Sequence, residues 1–267
     1  MTHTPSDLTP PPPRQHGPAT PQDRILLEGP HSRLRELQLL LRALRDFIVG
    51  FRALHFVGPC VTVFGSARRD ASHPHYELAR TVGRGLGRMG FTVMTGGGPG
   101  LMEGANRGAR DVGARSVGCN IILPEEQAVN PYVDRSVTCH YFFVRKVLLF
   151  KYSYAFIALP GGLGTADELF EALTLVQTGK VENFPVVLMG RDYWDGVITQ
   201  LHKMVDVGTI DADDLKLMLV TDDVSEALTH IEHHVIEPFG LKRRVKSWRL
   251  LGEPRNNHVR GRSKSHE

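Results

Sequence analysis

The sequence predicts a three-layer α/β domain built on a mostly parallel sheet, with a long helix in front of it. Three observations carry this. After Pro59, short apolar runs rich in β-prone residues alternate with longer segments of helical period, the pattern of parallel strands joined by crossover helices. Three of the runs end in glycine-rich turns, at Gly65-Ser66-Ala67, at Gly96 to Gly100 and at Pro160 to Thr165. With 41% apolar residues in 267, the chain can bury the core of one large domain.

Residues 1–30 contain the run Pro10 to Pro13 and few large apolar groups, so they bury too little to offset the entropy of ordering and are expected to be disordered. Residues 31–58 read as one amphipathic helix. From Ser32 to about Phe56, Leu34, Leu37, Leu41, Leu44, Ile48 and Phe51 recur at helical spacing between arginines, and Ser32 is placed to cap the first turn. The stripe is expected to pack on the domain. Leu39, Leu40 and Phe47 lie outside it, a surplus that points to a subunit interface and a homodimer or larger even assembly.

Residues 59–241 are expected to form the α/β domain itself. Its strands are read at Cys60–Phe64, Phe91–Met94, Ser116–Leu123, Thr138–Phe143, Tyr154–Leu159, Pro185–Met189 and Leu217–Val220. Helices are read near His75–Met89, Gly100–Val112, Val144–Tyr152, Thr165–Thr178, Tyr193–Val205 and Val224–Val235.

The pI of about 8.8 would suggest a nucleic-acid partner if the charge were spread over the domain. It is not. From Lys242 to Glu267, nine Lys or Arg face two Glu, a net of +7, so residues 1–241 hold −4 of the chain's +3. The tail reads as a solvated, disordered end, and no nucleic-acid partner is expected. No apolar run is long enough to span a membrane and the polar N-terminus lacks a signal-peptide core, so the reading is cytoplasmic with no membrane partner. Cys60, Cys119 and Cys139 are too scattered for a disulfide framework or a zinc site and read as buried free thiols.

An open α/β sheet binds ligands at the carboxyl ends of its strands. Glycines there let a phosphate approach the backbone, and a helix start offers it N–H groups and a favourable dipole. One such turn is often only a tight turn; three in register point to a nucleotide or sugar phosphate. The contacts expected are Gly65 and Ser66 in the first turn, Gly97, Gly98 and Gly100 with Met102 in the second, and Gly161, Gly162, Gly164 and Thr165 in the third. Met102 can equally pack. Gly85 to Gly90 spells a dinucleotide fingerprint but falls inside a helix and before a strand, the reverse of the required context. His230, His233 and His234 share a helical face without metalloprotease spacing, and no metal is expected.

Gly96-Gly97-Gly98-Pro99-Gly100-Leu101-Met102-Glu103, Arg145-Lys146 and Pro160 to Glu168 together resemble the Lonely Guy family of cytokinin riboside 5′-monophosphate phosphoribohydrolases, over roughly residues 61–221. Gly118 to Ile121 and Leu123 to Gln127 resemble its longer bacterial branch. The resemblance implies a Rossmann-like fold and hydrolysis of the N-glycosidic bond of a nucleoside 5′-monophosphate to free base and ribose 5-phosphate. It implies catalytic roles for Glu168, stabilising positive charge on the sugar, and Arg145, with Lys146, Asp167 and Glu171 beside them. Asn120 and Thr174 are further candidate contacts, with core or capping roles as alternatives. The chain departs from short members in its N-terminal helix, its basic tail and Asp167, where a second glutamate is frequent. Relatives often carry the label lysine decarboxylase, which implies pyridoxal phosphate; no motif here supports it, and no cofactor is expected. On chemistry alone Glu168 could simply favour a helix start and Arg145 could be solvated. A non-catalytic nucleotide or cofactor-phosphate carrier and an AMP or GMP nucleosidase serving turnover are the alternative functions.

Overall fold

The computed structural model describes residues 29–30, 32–123, 128–181 and 184–236. The expectations for residues 1–28 and for the basic tail lie outside them. In chain order the elements are α1 (Arg33–Leu54), β1 (Cys60–Phe64), α2 (Pro74–Arg88), β2 (Thr92–Thr95), α3 (Leu101–Asp111), β3 (Ser116–Ile121), β4 (Arg135–Cys139), α4 (Phe142–Tyr152), β5 (Ser153–Ala158), α5 (Leu163–Gln177), β6 (Val186–Met189), α6 (Arg191–Asp206), β7 (Met218–Thr221) and α7 (Val224–Ile231).

The strands form one sheet in the order β4-β3-β2-β1-β5-β6-β7, and every pairing is parallel. Alternation along β1 shows how the layers arise. Val61 and Val63 face a core filled by Val82 and Leu86 of α2, Leu101 and Ala105 of α3, and Ile231 of α7. Cys60 and Phe64 face the opposite core, with Leu148 of α4, Leu169 of α5 and Trp194 of α6. Both faces of the sheet are therefore covered, which is why its strands read as continuous apolar runs. All three cysteines are buried and free.

The chain steps outward from β1 to β4, then returns to lay β5 against the other side of β1. That reversal is the topological switch point, where the turns leaving two adjacent strands run in opposite directions and leave a crevice. Backbone hydrogen bonds continue past the strand ends: Leu159 N–H donates to Phe64 O at 2.9 Å, and Ser66 N–H to Pro160 O at 3.0 Å. The first and third glycine turns are thereby held side by side.

Two expectations need correcting. The aromatic run Tyr141-Phe142-Phe143 suggests the end of a strand, but β4 stops at Cys139 and Phe142 opens α4. Pairing with β3 settles the strand at Arg135–Cys139, and tertiary register overrides the β propensity of aromatic residues. The second concerns α1. The stripe expected to pack inward is largely exposed, with Leu34 at 66%, Leu41 at 56% and Ile48 at 51%. The buried face is instead narrow: Ala43, Asp46, Gly50 and Leu54, flanked by half-buried Leu39 and Phe47. Small residues win because the helix approaches closely; a Cβ on Gly50 would meet Leu148 Cδ1 at 2.4 Å. Asp46 fixes the register by accepting hydrogen bonds from His140 N–H at 2.7 Å and engaging its Nδ1 at 2.9 Å. Ser32 sits at the cap position, yet its side chain makes no cap bond.

Asp46→Ala should lower the free energy of unfolding by about 1–3 kcal/mol, since it removes the buried acceptor that the half-buried His140 donors bond. Urea denaturation of the variant against the parent protein measures this, and an unchanged midpoint would remove Asp46 as the anchor of α1.

Candidate active site

At the switch point lies a cleft of about 910 Å³, lined by Gly65 and Ser66, by Met102 and Arg145, and by Pro160 to Thr165. Two glycine-rich turns line it and a third is buried beside it, each built differently. Gly65 has no room for a side chain, as a Cβ would meet Leu101 Cβ at 2.9 Å, so α3 packs directly on the first turn. In the second turn Gly100 has φ 72°, and its added Cβ would fall 2.4 Å from Ser66 O. Only glycine fits there.

The third turn differs. A Cβ on Gly162 or Gly164 would meet nothing within 4 Å, and Gly162 has φ −88°, a conformation open to any residue. The fold does not require these glycines. They border the cleft where α5 begins, with N–H groups that have no intrahelical acceptor. The Tyr193 hydroxyl donates to Gly161 O and steadies the turn from α6.

Sequence reasoning missed what holds the second turn. Thr95 Oγ1 donates to Asn106 Oδ1 at 2.7 Å and accepts from Gly97 N–H at 2.9 Å. Asn106 Nδ2 donates to Ser116 Oγ at 2.8 Å, while Asn130 Nδ2 reaches Asn106 Oδ1, Gly97 O and Gly98 O. Thr95, Asn106, Ser116 and Asn130 are all buried, so this satisfied network fixes the turn rather than leaving it a mobile loop. The available signal was Asn106, an amide on the face of α3 that otherwise carries Leu101, Ala105 and Ala109.

Behind the cleft stands Glu168, 1% exposed. Its Oε1 lies 3.9 Å from Arg145 Nη1 and its Oε2 lies 3.9 Å from Lys146 Nζ, too far for hydrogen bonds. Oε2 has no hydrogen-bond partner. Burial therefore dominates and raises the carboxyl from 4.5 to about 7, against the pull of Arg145 and Lys146. Arg145 is anchored at its inner nitrogen, Nε–H donating to Cys119 O at 2.9 Å, and its guanidinium rests on Gly96, where a Cβ would meet Nη2 at 2.6 Å. Lys146 bonds Asp167 at 2.8 Å and Glu171 at 2.5 Å. Burial disfavours its charge, but these carboxylates outweigh that and its pKa is raised.

Of the residues singled out from sequence, Gly65, Ser66, Met102, Arg145, Gly161, Gly162, Gly164 and Thr165 meet in the cleft. Gly97, Gly98 and Gly100 are buried beside it, in the turn just described. Asp167 and Glu171 serve Lys146. The Asn120 carboxamide oxygen accepts from Ile121 N–H at 2.8 Å, and Thr174, exposed, donates to Phe170 O at 2.7 Å, so neither reaches the cleft. His230 and His234 stack on each other, ring centres 4.2 Å apart.

Among known proteins, the family model described as "Possible lysine decarboxylase" matches residues 102–231. The cytokinin riboside 5′-monophosphate phosphoribohydrolase of Mycobacterium marinum is 31% identical over 160 residues, 59% of this chain and 86% of that protein. The phosphoribohydrolase of the same name from Rhodococcoides fascians is 31% identical over 178 residues, 64% of this chain and 88% of its own length. This chain belongs to that family. The molybdenum cofactor carrier protein of Chlamydomonas reinhardtii shares the fold, with a TM-score of 0.50 at 23% identity over 66% of this chain and 98% of the carrier. The decarboxylase description does not fit the site. A pyridoxal enzyme needs a lysine free to form a Schiff base; among the described residues no lysine lines the cleft, and Lys146 is held as an ammonium by two carboxylates.

Because the folded-state value for Glu168 lies above the ordinary one, the protonated acid is the form that burial tolerates. Its stabilising contribution is full below about pH 4.5 and is lost as pH rises through about 7. Above pH 7 the ionised group costs the fold about 3 kcal/mol. Glu168→Gln should therefore melt at a higher temperature than the parent protein at pH 8 and at nearly the same temperature at pH 5, as thermal scans at the two pH values would show.

Proposed function

We propose that this family member hydrolyses the N-glycosidic bond of purine nucleoside 5′-monophosphates, AMP and cytokinin riboside monophosphates among them. Water adds to C1′ of the sugar, the C1′–N bond breaks, and the base leaves with a proton. The observation that carries the reading is the pairing of a glycine turn that the fold does not need with a buried carboxylate that the fold must bear. Gly162 and Gly164 leave backbone N–H groups open to a phosphate at the start of α5. Glu168 lies on the same helix one turn further on, the place for a negative charge beside a sugar carbon turning cationic.

Arg145 stands between Glu168 and the cleft. Since no hydrogen bond joins the two, its guanidinium can turn toward substrate at small cost while Nε–H stays on Cys119 O. The move would bring the cation to the departing base or the phosphate and uncover the carboxylate. A carrier of nucleotides or cofactor phosphates would need the turn, but it would gain nothing from a destabilising acid behind it.

The proposal extends to assembly. α1 and α4 are in contact, and together they expose Leu37, Leu41, Leu44, Phe142, Phe143 and Val147. Exposed apolar residues on two touching helices suit a two-fold interface, and we read the protein as a homodimer or a larger even assembly.

Incubated with purified protein, AMP should yield free adenine, and adenosine should react poorly. Glu168→Gln should lower kcat by about a hundredfold or more with much smaller loss of AMP binding, and Arg145→Ala should weaken binding, slow the chemistry or both. With the carboxylate as the working form, kcat/KM should rise with pH through about 7, and the Gln variant should lose that rise. Near-normal turnover by Glu168→Gln would favour the carrier. For assembly, light scattering should give an even multiple of the chain mass, and Leu37→Glu with Leu44→Glu should shift it to monomer without unfolding, both residues being exposed already.

A further inference from the structure

The cleft has a second wall that the phosphate turn does not account for. Arg68 and Arg69 follow closely on the first glycine turn, and both line the same cleft as Gly161 to Thr165. Their position is set by the backbone. Ser66 N–H is bonded to Pro160 O at 3.0 Å, so the segment starts beside the first residue of the third turn, and Arg68 N–H bonds Ser66 Oγ at 3.1 Å.

Among the described residues neither guanidinium has a carboxylate within ion-pair distance. Asp70 shares the lining, but its carboxylate accepts from Ser72 N–H at 3.0 Å and Ser72 Oγ at 2.5 Å. His73 and His75 complete this wall. Burial lowers both pKa values, with Arg69 adding to the effect. The lining then carries three cations, Arg68, Arg69 and Arg145, against the single carboxylate of Asp70. Arg145 faces Glu168 at the inner end. Adjacent like charges left without counter-charges give the fold nothing, whereas a concave site so lined concentrates anions.

We propose that Arg68 and Arg69 form the second half of a phosphate clamp, gripping the 5′-phosphate together with the 160–165 turn and setting selectivity for phosphorylated over unphosphorylated nucleosides. The identity of the substrate rests on the function proposed above. Guanidinium forks bind phosphate oxygens in pairs, and the phosphate does not change in the reaction. The clamp therefore holds ground state and transition state alike, and it acts on KM rather than kcat.

The test is a double variant, Arg68→Ala with Arg69→Ala, beside Arg68→Lys with Arg69→Lys, assayed with AMP and adenosine and titrated calorimetrically with inorganic phosphate. The alanine pair should raise KM for AMP about tenfold or more, leave kcat within about threefold, weaken phosphate binding in parallel and leave adenosine turnover unchanged. The lysine pair should recover part of the affinity, since charge is kept and the fork is lost. A folded alanine pair with unaltered KM and phosphate affinity, or one that loses only kcat, would overturn the clamp. Arginine-dependent phosphate binding by a protein that does not hydrolyse AMP would uphold the clamp and sink the proposed activity, so the two readings fail separately.

Discussion

Everything at the site depends on the parallel pairing of β1 with β5. These strands are far apart in sequence, and their register, Val61 to Ala155 through Phe64 to Ala158, decides which residues leave the sheet side by side. Because the ladder runs on through Leu159 and Ser66, it places two turns as well as two strands. A slip of one residue would reverse the faces of β5 and take Pro160 away from Ser66. The crevice, the start of α5 and the position of Glu168 all follow from this one line of hydrogen bonds.

Much of this was legible in the sequence because its causes are local. Glycines after apolar runs, helical spacing in α2 and α3, and the order of strands and helices follow from steric and hydrophobic rules that act over a few residues. What was not legible depends on partners distant in the chain. The inward face of α1 could not be read from its leucines, since what counts is the close approach that Gly50 allows to Leu148 and the bond from Asp46 to His140. The end of β4 was misjudged because the aromatic residues after it suit a strand locally, while pairing with β3 ends earlier. The network of Thr95, Asn106, Ser116 and Asn130 joins four segments and leaves only one odd amide on a helix face as its trace. Arg68 and Arg69 were visible as residues, but not as cations without counter-charges among the described residues, because that depends on where Asp70 turns.

The division of labour among the glycines follows the same logic. Gly65 and Gly100 are fixed by what packs on them and belong to the fold; at Gly162 and Gly164 an added Cβ would meet nothing among the described residues. Motifs alone do not separate these classes, since both are spelled with the same letter. The space around each missing side chain does.

Glu168 has a consequence for anyone who alters this protein. Directed evolution toward heat resistance rewards each change that removes a buried charge lacking hydrogen bonds, and here the readiest such change is a single-nucleotide step from glutamate to glutamine. Stability selection without a screen for chemistry would thus tend to erase the acid early and leave a sturdier scaffold with the same cleft.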